Sequence, residues 1–138
     1  MDTLILAERI DALRRCLKRV EAKRTESPDA LQADPDRQDI ISLNLTRAVQ
    51  LCVDMATHVL ADTEHPPPQT MAEAFDCLAA EGIMPAETAD RMRCAVGFRN
   101  VAVHSYQAID WDIVHTISHQ RLEDFRYFAS HLACLIQD

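Results

Sequence analysis

The sequence predicts an all-α protein, an up-and-down bundle of about five helices in a single domain spanning residues 1–138. A chain of 138 residues is long enough to bury a core and short for two domains. Hydrophobic residues make up 48% of it and are rich in Ala, Leu, Ile and Val, whereas glycine occurs twice. This composition favours helices over hairpins. Apolar residues also recur at three- and four-residue spacing, the period of an amphipathic helix.

The first helix is predicted from a cap at Asp2 or Thr3 to about Arg24, because five apolar residues repeat along one face: Leu6, Ile10, Leu13, Leu17 and Val20. Residues 1–24 also hold seven basic and four acidic side chains, a formal charge of +3 within a chain of −8. The overall charge argues against a general nucleic-acid binder. We interpret the basic residues as a solvated helix face, with an RNA-binding track as the alternative.

Residues 25–35 break the helical pattern with two prolines and predict a connector over the surface. Asp34 and Pro35 then begin a second helix, a capping acid followed by proline at the first helical position. This helix should reach about Ala61 and pack against several neighbours. Its narrow polar line consists of Arg47, Gln50, Asp54 and His58.

The second half of the chain predicts three further helices. Thr70 and Glu73 form a capping box for a short helix that Gly82 can terminate. Pro85 begins the fourth. A final helix is expected from Asp110 to about Ile136, with its packing face formed by Trp111, Val114, Ile117, Leu122, Phe125, Phe128, Leu132 and Leu135.

Cysteine usage and hydropathy indicate the cellular setting. Five cysteines without a Cys-x-x-Cys pair predict reduced, mostly buried thiols and a cytoplasmic protein. The first residues lack the pattern of a secretory leader, and no apolar run has the length of a membrane span, so no membrane association is expected. His115 and His119, one turn apart, could hold zinc, but no further ligand completes the set. We therefore expect neither a metal nor another cofactor.

The reactive side chains of the sequence are concentrated between residues 98 and 106. This stretch combines a guanidinium, a carboxamide, an imidazole and a phenol: Arg99, Asn100, His104 and Tyr106. Arginine clamps phosphate oxygens with planar donors, and histidine takes and gives protons near neutral pH. RNA supplies its own nucleophile, the 2′-hydroxyl, so cleavage needs a base, a cation for the phosphorane and an acid for the departing 5′-oxygen. The cluster therefore suits metal-free cleavage of an RNA phosphodiester.

Helix geometry limits how Arg99 and His104 can cooperate. In an unbroken helix, five residues turn through about 140° and rise about 7.5 Å, so the two side chains would diverge. Either the helix loosens after Asn100, or the site is completed across a dimer. Arg99 follows Ala89, Met92 and Val96 on one face, so we expect it in a groove between helices. A structural ion pair with Asp54 is the alternative.

The pattern Arg-x4-His-x-Tyr within Gly97–Tyr106, together with residues 74–78 and 82–85, resembles the HepT-like toxins of the HEPN superfamily. The resemblance covers roughly residues 40–130. These toxins are small helical ribonucleases of prokaryotic toxin-antitoxin pairs. The resemblance implies an HEPN-like fold and a homodimeric, metal-independent endoribonuclease toxin of a type II pair. It assigns catalysis to Arg99 and His104, and supporting roles to Asn100 and Tyr106.

The same resemblance implies two further features. Gln50 and Asp54 occupy places where the family carries acidic or amide residues facing the Arg-His site, although the family more often has an acid at position 50. The partner would be an MNT-type nucleotidyltransferase antitoxin that transfers AMP from ATP to Tyr106. The competing interpretation is a non-catalytic helical subunit that binds a nucleotide or a protein.

Overall fold

The computed structural model describes residues 2–136, in which helices are joined by turns and loops and no strand is found. The predicted bundle is confirmed, with two differences: a short helix is added after the first, and the last predicted helix is divided in two. The residues at positions 1, 137 and 138 of the predicted domain lie outside the described range. The helices are α1 Thr3–Lys23, α2 Pro28–Gln32, α3 Pro35–Leu60, α4 Met71–Ala80, α5 Ala86–His104, α6 Trp111–Thr116 and α7 Leu122–Ala133.

The helices begin and end at the capping residues that the sequence predicts. Asp2 accepts hydrogen bonds from the first-turn amides of α1, and Asp34 accepts one from the Arg37 amide before Pro35 opens α3. Thr70 caps α4 by accepting from the Glu73 amide. After α4, Gly82 has a φ of 73°, the left-handed conformation that glycine adopts without a steric penalty.

The connector at residues 25–35 differs from the expectation of an extended surface link, because it contains α2. Ser27 caps this helix, and Pro28 occupies its first turn. Leu31 is fully buried in the common core, which explains why so short a helix forms. Burying a leucine contributes roughly 1.5–3 kcal/mol, enough to fix one turn against the bundle.

One hydrophobic core joins the helices. The five predicted core residues of α1 are all buried, and they pack on the buried face of α3. Phe75 of α4 and Phe128 of α7 meet edge to face with ring centroids 5.4 Å apart. This contact joins α4 to α7 within the core.

The last helix is less regular than predicted. A π-turn over Ile117–Arg121 joins α6 to α7, and α7 ends at Ala133 instead of near Ile136. Cys16, Cys52 and Cys77 are buried, as expected for most of the thiols, whereas Cys94 and Cys134 are exposed. Between residues 2 and 136, no helix is long and apolar enough to cross a membrane.

Candidate active site

Helix α5 carries the first three polar residues of the 98–106 stretch in its last two turns. It remains helical to His104, and Ser105 ends it with its amide donating to the Val101 carbonyl at 2.8 Å. Of the two alternatives, loosening of the helix after Asn100 is therefore not found, and completion of the site across a dimer is the one left. Because the helix is unbroken, the Arg99 and His104 side chains project about 140° apart on one protomer.

Arg99 is half-buried near the end of α5. Its Nη1 donates to Oδ1 of Asn100 at 3.1 Å. Its Nε is buried without a hydrogen-bond partner in the part of the chain that the structure describes. A buried donor that lacks a partner costs free energy, so an incoming anion at this position would be favoured.

The alternative of a structural ion pair between Arg99 and Asp54 is not found. Within residues 2–136, no carboxylate lies within 4.0 Å of Arg99. Asp54 instead pairs with Arg9 of α1 at 3.6 Å and accepts from Nε2 of Gln50 at 2.9 Å. Gln50 and Asp54 thus share a face, as predicted, but that face lies towards α1.

Tyr106 lies beyond α5, in a 3-10 turn over Tyr106–Ala108. Its hydroxyl donates to Oδ1 of Asp39 at 2.6 Å, and its ring meets Trp111 edge to face at 5.9 Å. The phenol is nevertheless 39% exposed, so it is held in position and still accessible. Burial and the hydrogen bond to Asp39 raise the pKa of Tyr106, because both favour the protonated phenol.

Asp39 is a candidate site residue that the sequence does not reveal. It lies near the start of α3, 67 residues before Tyr106, and no local spacing connects the two. In the sequence, Asp39 is marked only as an acid that precedes the buried residues Ile41 and Ser42 on the polar side of a core helix. This pattern does not indicate a contact with Tyr106. A carboxylate that accepts the hydrogen bond of a phenol can also accept its proton when the phenol oxygen attacks an electrophile.

His104 is exposed at the last position of α5 and makes no hydrogen bond within the described residues. An exposed imidazole in this place can approach a substrate from solvent. Asn100 is also exposed, and its side chain is engaged by Arg99. The stretch therefore brings Arg99 and Asn100 together and Tyr106 and Asp39 together, with His104 between the two pairs along the chain.

An apolar groove of about 650 Å³ lies beside the stretch. Phe98 and Val101 of α5 form one wall, and Ile113 of α6 contributes to the opposite wall. Val101, Val103 and Ile113 are large hydrophobic side chains that remain exposed. Val101 and Ile113 line the same groove, and contiguous exposed apolar surface of this kind is typical of an interaction site.

The two histidines considered for zinc stack against each other, with ring centroids 4.4 Å apart. Nε2 of His119 lies 2.7 Å from the Thr25 carbonyl, so it donates a proton there and cannot bind a metal in this tautomer. Nowhere between residues 2 and 136 do three or more His, Cys, Asp or Glu side chains gather in an arrangement for a metal ion.

Comparison with known proteins relates this geometry to a family. A family model described as "Ribonuclease HepT-like" matches residues 8–132. The mRNA nuclease HepT of Shewanella oneidensis is 33% identical over 124 residues, which cover 90% of this chain and 92% of that protein.

Solved structures agree with this comparison. A tri-AMPylated HEPN toxin of Shewanella oneidensis, in complex with an MNT antitoxin, matches with a TM-score of 0.88 and 31% identity. The match covers 94% of this chain and 97% of that one. YutE of Bacillus subtilis matches with a TM-score of 0.84 at 9% identity, which shows a shared fold alone. The family match and the curated relative together cover most of the chain, and the chain accordingly belongs to the HepT-like ribonuclease family.

Proposed function

We propose that this protein is a metal-independent endoribonuclease, the toxin of a type II toxin-antitoxin pair. The observation that carries the proposal is the Arg99 guanidinium, half-buried with an unpartnered Nε and without a carboxylate within 4.0 Å in the described residues. A positive charge kept free of acids at a helix end suits a phosphate oxygen. The naming of the Shewanella oneidensis relative as an mRNA nuclease supports RNA as the substrate.

In the proposed reaction, the RNA 2′-oxygen attacks the adjacent phosphorus and the bond to the 5′-oxygen breaks. His104 takes the proton of the 2′-hydroxyl, and the resulting imidazolium gives a proton to the departing 5′-oxygen. Arg99 stabilises the negative charge that develops on the phosphorane, and Asn100 orients Arg99 through their 3.1 Å hydrogen bond. Gln50 and Asp54 have no step in this reaction, because both side chains lie towards α1.

Arg99 and His104 can act on one phosphodiester only if a second copy of the chain supplies one of them. On one protomer, α5 directs Arg99 and His104 about 140° apart, so one copy does not complete the site. Val101 and Val103, between these two residues in sequence, are exposed and apolar. A homodimer that buries them would bring two copies of the stretch into one cleft.

The proposed activity is tested by incubating the purified protein with single-stranded RNA in EDTA. We expect cleavage that leaves a 2′,3′-cyclic phosphate, since the 2′-oxygen is the nucleophile. Arg99→Ala and His104→Ala should each reduce the rate by roughly 10²- to 10⁴-fold. His131, a half-buried histidine on a helix far from the stretch in sequence, provides the control variant His131→Ala. Undiminished cleavage by His104→Ala, or an absolute need for a divalent metal, would overturn the mechanism.

We also propose that an MNT-type nucleotidyltransferase silences the toxin by adding AMP to Tyr106. The Shewanella oneidensis toxin, which is tri-AMPylated in its complex with an MNT antitoxin, supports this partner. The Tyr106 oxygen would form a bond to the α-phosphorus of ATP, pyrophosphate would leave, and Asp39 at 2.6 Å would accept the phenolic proton. The added phosphate and base would then occupy the space that substrate RNA needs beside Arg99.

This modification is measured by intact mass after co-expression with the cognate nucleotidyltransferase. Tyr106→Phe should gain no AMP, while Tyr127→Phe, which alters the other tyrosine of the chain, should gain the same mass as the wild type. Asp39→Asn should slow the addition by roughly 10²-fold or more, the scale of a lost general base. Retention of the added mass in Tyr106→Phe would disprove the assignment and make Ser105 the next candidate.

A further inference from the structure

A second groove lies at the surface where α1 runs beside α3. This groove between α1 and α3 is open to solvent and has a volume of about 620 Å³. Arg15 and Arg19 of α1 line one wall, and Arg47 of α3 lines the other. We call it the arginine groove.

The three guanidiniums converge because of helix periodicity. Arg15 and Arg19 are four residues apart and share a face of α1. Arg15 and Arg47 both act on the Cys16 thiol at the floor of the groove: burial raises the pKa of Cys16, and the two positive charges partly offset it. Positive charge therefore reaches one place from two helices.

These arginines lack the partners that most other arginines of the protein have. Six arginines lie within 3.7 Å of a carboxylate oxygen: Arg9, Arg14, Arg37, Arg91, Arg93 and Arg126. By contrast, Arg15, Arg19 and Arg47 form neither an ion pair nor a hydrogen bond with any residue between positions 2 and 136. In a chain with 22 acidic side chains, three neighbouring unpaired cations leave a local positive potential that attracts a polyanion.

One end of the groove lies on α3 next to the residue that holds Tyr106. Asp39, which holds Tyr106, directly precedes Ile40 in the groove wall, and Leu43 lies one turn further. At the other end, Asp54 is paired with Arg9. From Ile40 to Asp54, the helix rises about 21 Å. At roughly 3.4 Å or more between phosphates of one strand, this length accommodates about four to six nucleotides.

We propose that the arginine groove binds the sugar-phosphate backbone of the substrate RNA outside the bond that is cleaved, with Arg15, Arg19 and Arg47 contacting phosphates. This inference rests on the proposed ribonuclease function and extends it by a second RNA contact surface. An open groove favours a passing strand over an enclosed small nucleotide. Because phosphates carry no base identity, binding here tolerates different RNA sequences and weakens with salt.

The test measures binding of full-length protein to a short single-stranded RNA whose 2′-hydroxyls are methylated, so that cleavage cannot occur. The combined variant Arg15→Gln, Arg19→Gln and Arg47→Gln should bind about tenfold or more weakly at moderate salt. Its slope of log affinity against log salt should fall by about 2, since each phosphate contact on a single strand contributes about 0.7. Each single substitution should lower the slope by about 0.7, so any variant that folds provides a test.

Arg14→Gln is the matched control, because it removes the same charge from the same helix outside the groove. It should bind with wild-type affinity and slope. Wild-type affinity and slope in the combined variant would overturn the proposal. So would a combined variant that binds RNA normally but no longer binds the cognate antitoxin, since the groove would then be a protein-docking surface. Groove-dependent RNA binding by a wild-type protein that cleaves no RNA would support the groove and refute the ribonuclease function.

Discussion

At the scale of single residues, the environment of Tyr106 links local structure to chemistry. The phenol is fixed by Asp39 and Trp111 yet remains partly exposed, which is the combination that a modified residue needs. Its pKa is raised by burial and by the neighbouring carboxylate, so the hydroxyl is protonated across the neutral range. Nucleophilic attack by this oxygen then depends on a nearby acceptor for the proton, and Asp39 is placed for that role.

The hydrogen bond between Tyr106 and Asp39 predicts how the pKa of Tyr106 changes when Asp39 is replaced. Asp39→Asn should lower the pKa of Tyr106 towards the ordinary value of about 10, because a negative charge that opposes ionisation is removed. Tyrosinate ultraviolet absorbance against pH, in a Tyr127→Phe background, reports Tyr106 alone because the chain has two tyrosines. Since the folded pKa is raised, the contact stabilises the fold at neutral pH, and this contribution is lost as pH rises through the raised pKa.

Comparing these titrations requires that the Tyr127→Phe protein stays folded with and without Asp39→Asn. Circular dichroism at each pH establishes this. Ser42 provides a further reference, because it lies near the same phenol but is neutral. Ser42→Ala should change the Tyr106 titration less than Asp39→Asn does. An unchanged titration in Asp39→Asn would show that burial alone raises the pKa.

At the scale of helices, periodicity predicted which faces are buried and where most helices begin. The apolar repeat from Leu6 to Val20 lies in the core, and the Asp34-Pro35 start of α3 is found as predicted. The same kind of signal, Ser27 followed by Pro28, marks α2 and was readable in the sequence. One apolar residue, Leu31, does not reveal a helical period, so the sequence pattern alone does not predict this helix.

Periodicity does not reveal which neighbour a polar face meets. Gln50 and Asp54 share a line on α3, as their spacing predicts, but α1 and not α5 lies against it. Likewise, spacing could not decide whether α5 ends at Asn100 or at His104, since Val101 and Val103 fit a helix end and a turn equally. Contacts between distant segments, such as Tyr106 with Asp39, carry no local signal at all.

At the scale of the whole molecule, the exposed apolar surface and the exposed cationic surface lie in different places. The exposed hydrophobic residues Val101, Val103 and Ile113 lie beside the candidate active site, whereas the arginine groove lies on the α1 side of α3. An apolar surface at the site suits a second copy of the chain, and a cationic surface away from it suits the RNA strand. The acidic total charge is compatible with RNA binding because the positive charge is local.

The proposed dimer predicts complementation between inactive variants. If each site combines Arg99 of one protomer with His104 of its partner, a heterodimer of Arg99→Ala with His104→Ala keeps one intact site. Co-expressed chains with different tags, purified as heterodimers, should therefore cleave RNA at roughly half the wild-type rate. Each mutant homodimer should remain roughly 10²- to 10⁴-fold slower.

A second heterodimer decides whether the site is shared. Pairing wild-type chain with the double variant Arg99→Ala, His104→Ala leaves no composite site intact, although one protomer has both residues. This heterodimer should therefore be nearly inactive, because the unbroken α5 directs Arg99 and His104 of one chain about 140° apart. Half the wild-type rate in this heterodimer, together with no recovery in the first, would show that each chain cleaves RNA alone. A stable monomer that cleaves RNA in sedimentation experiments would exclude the shared site in the same way.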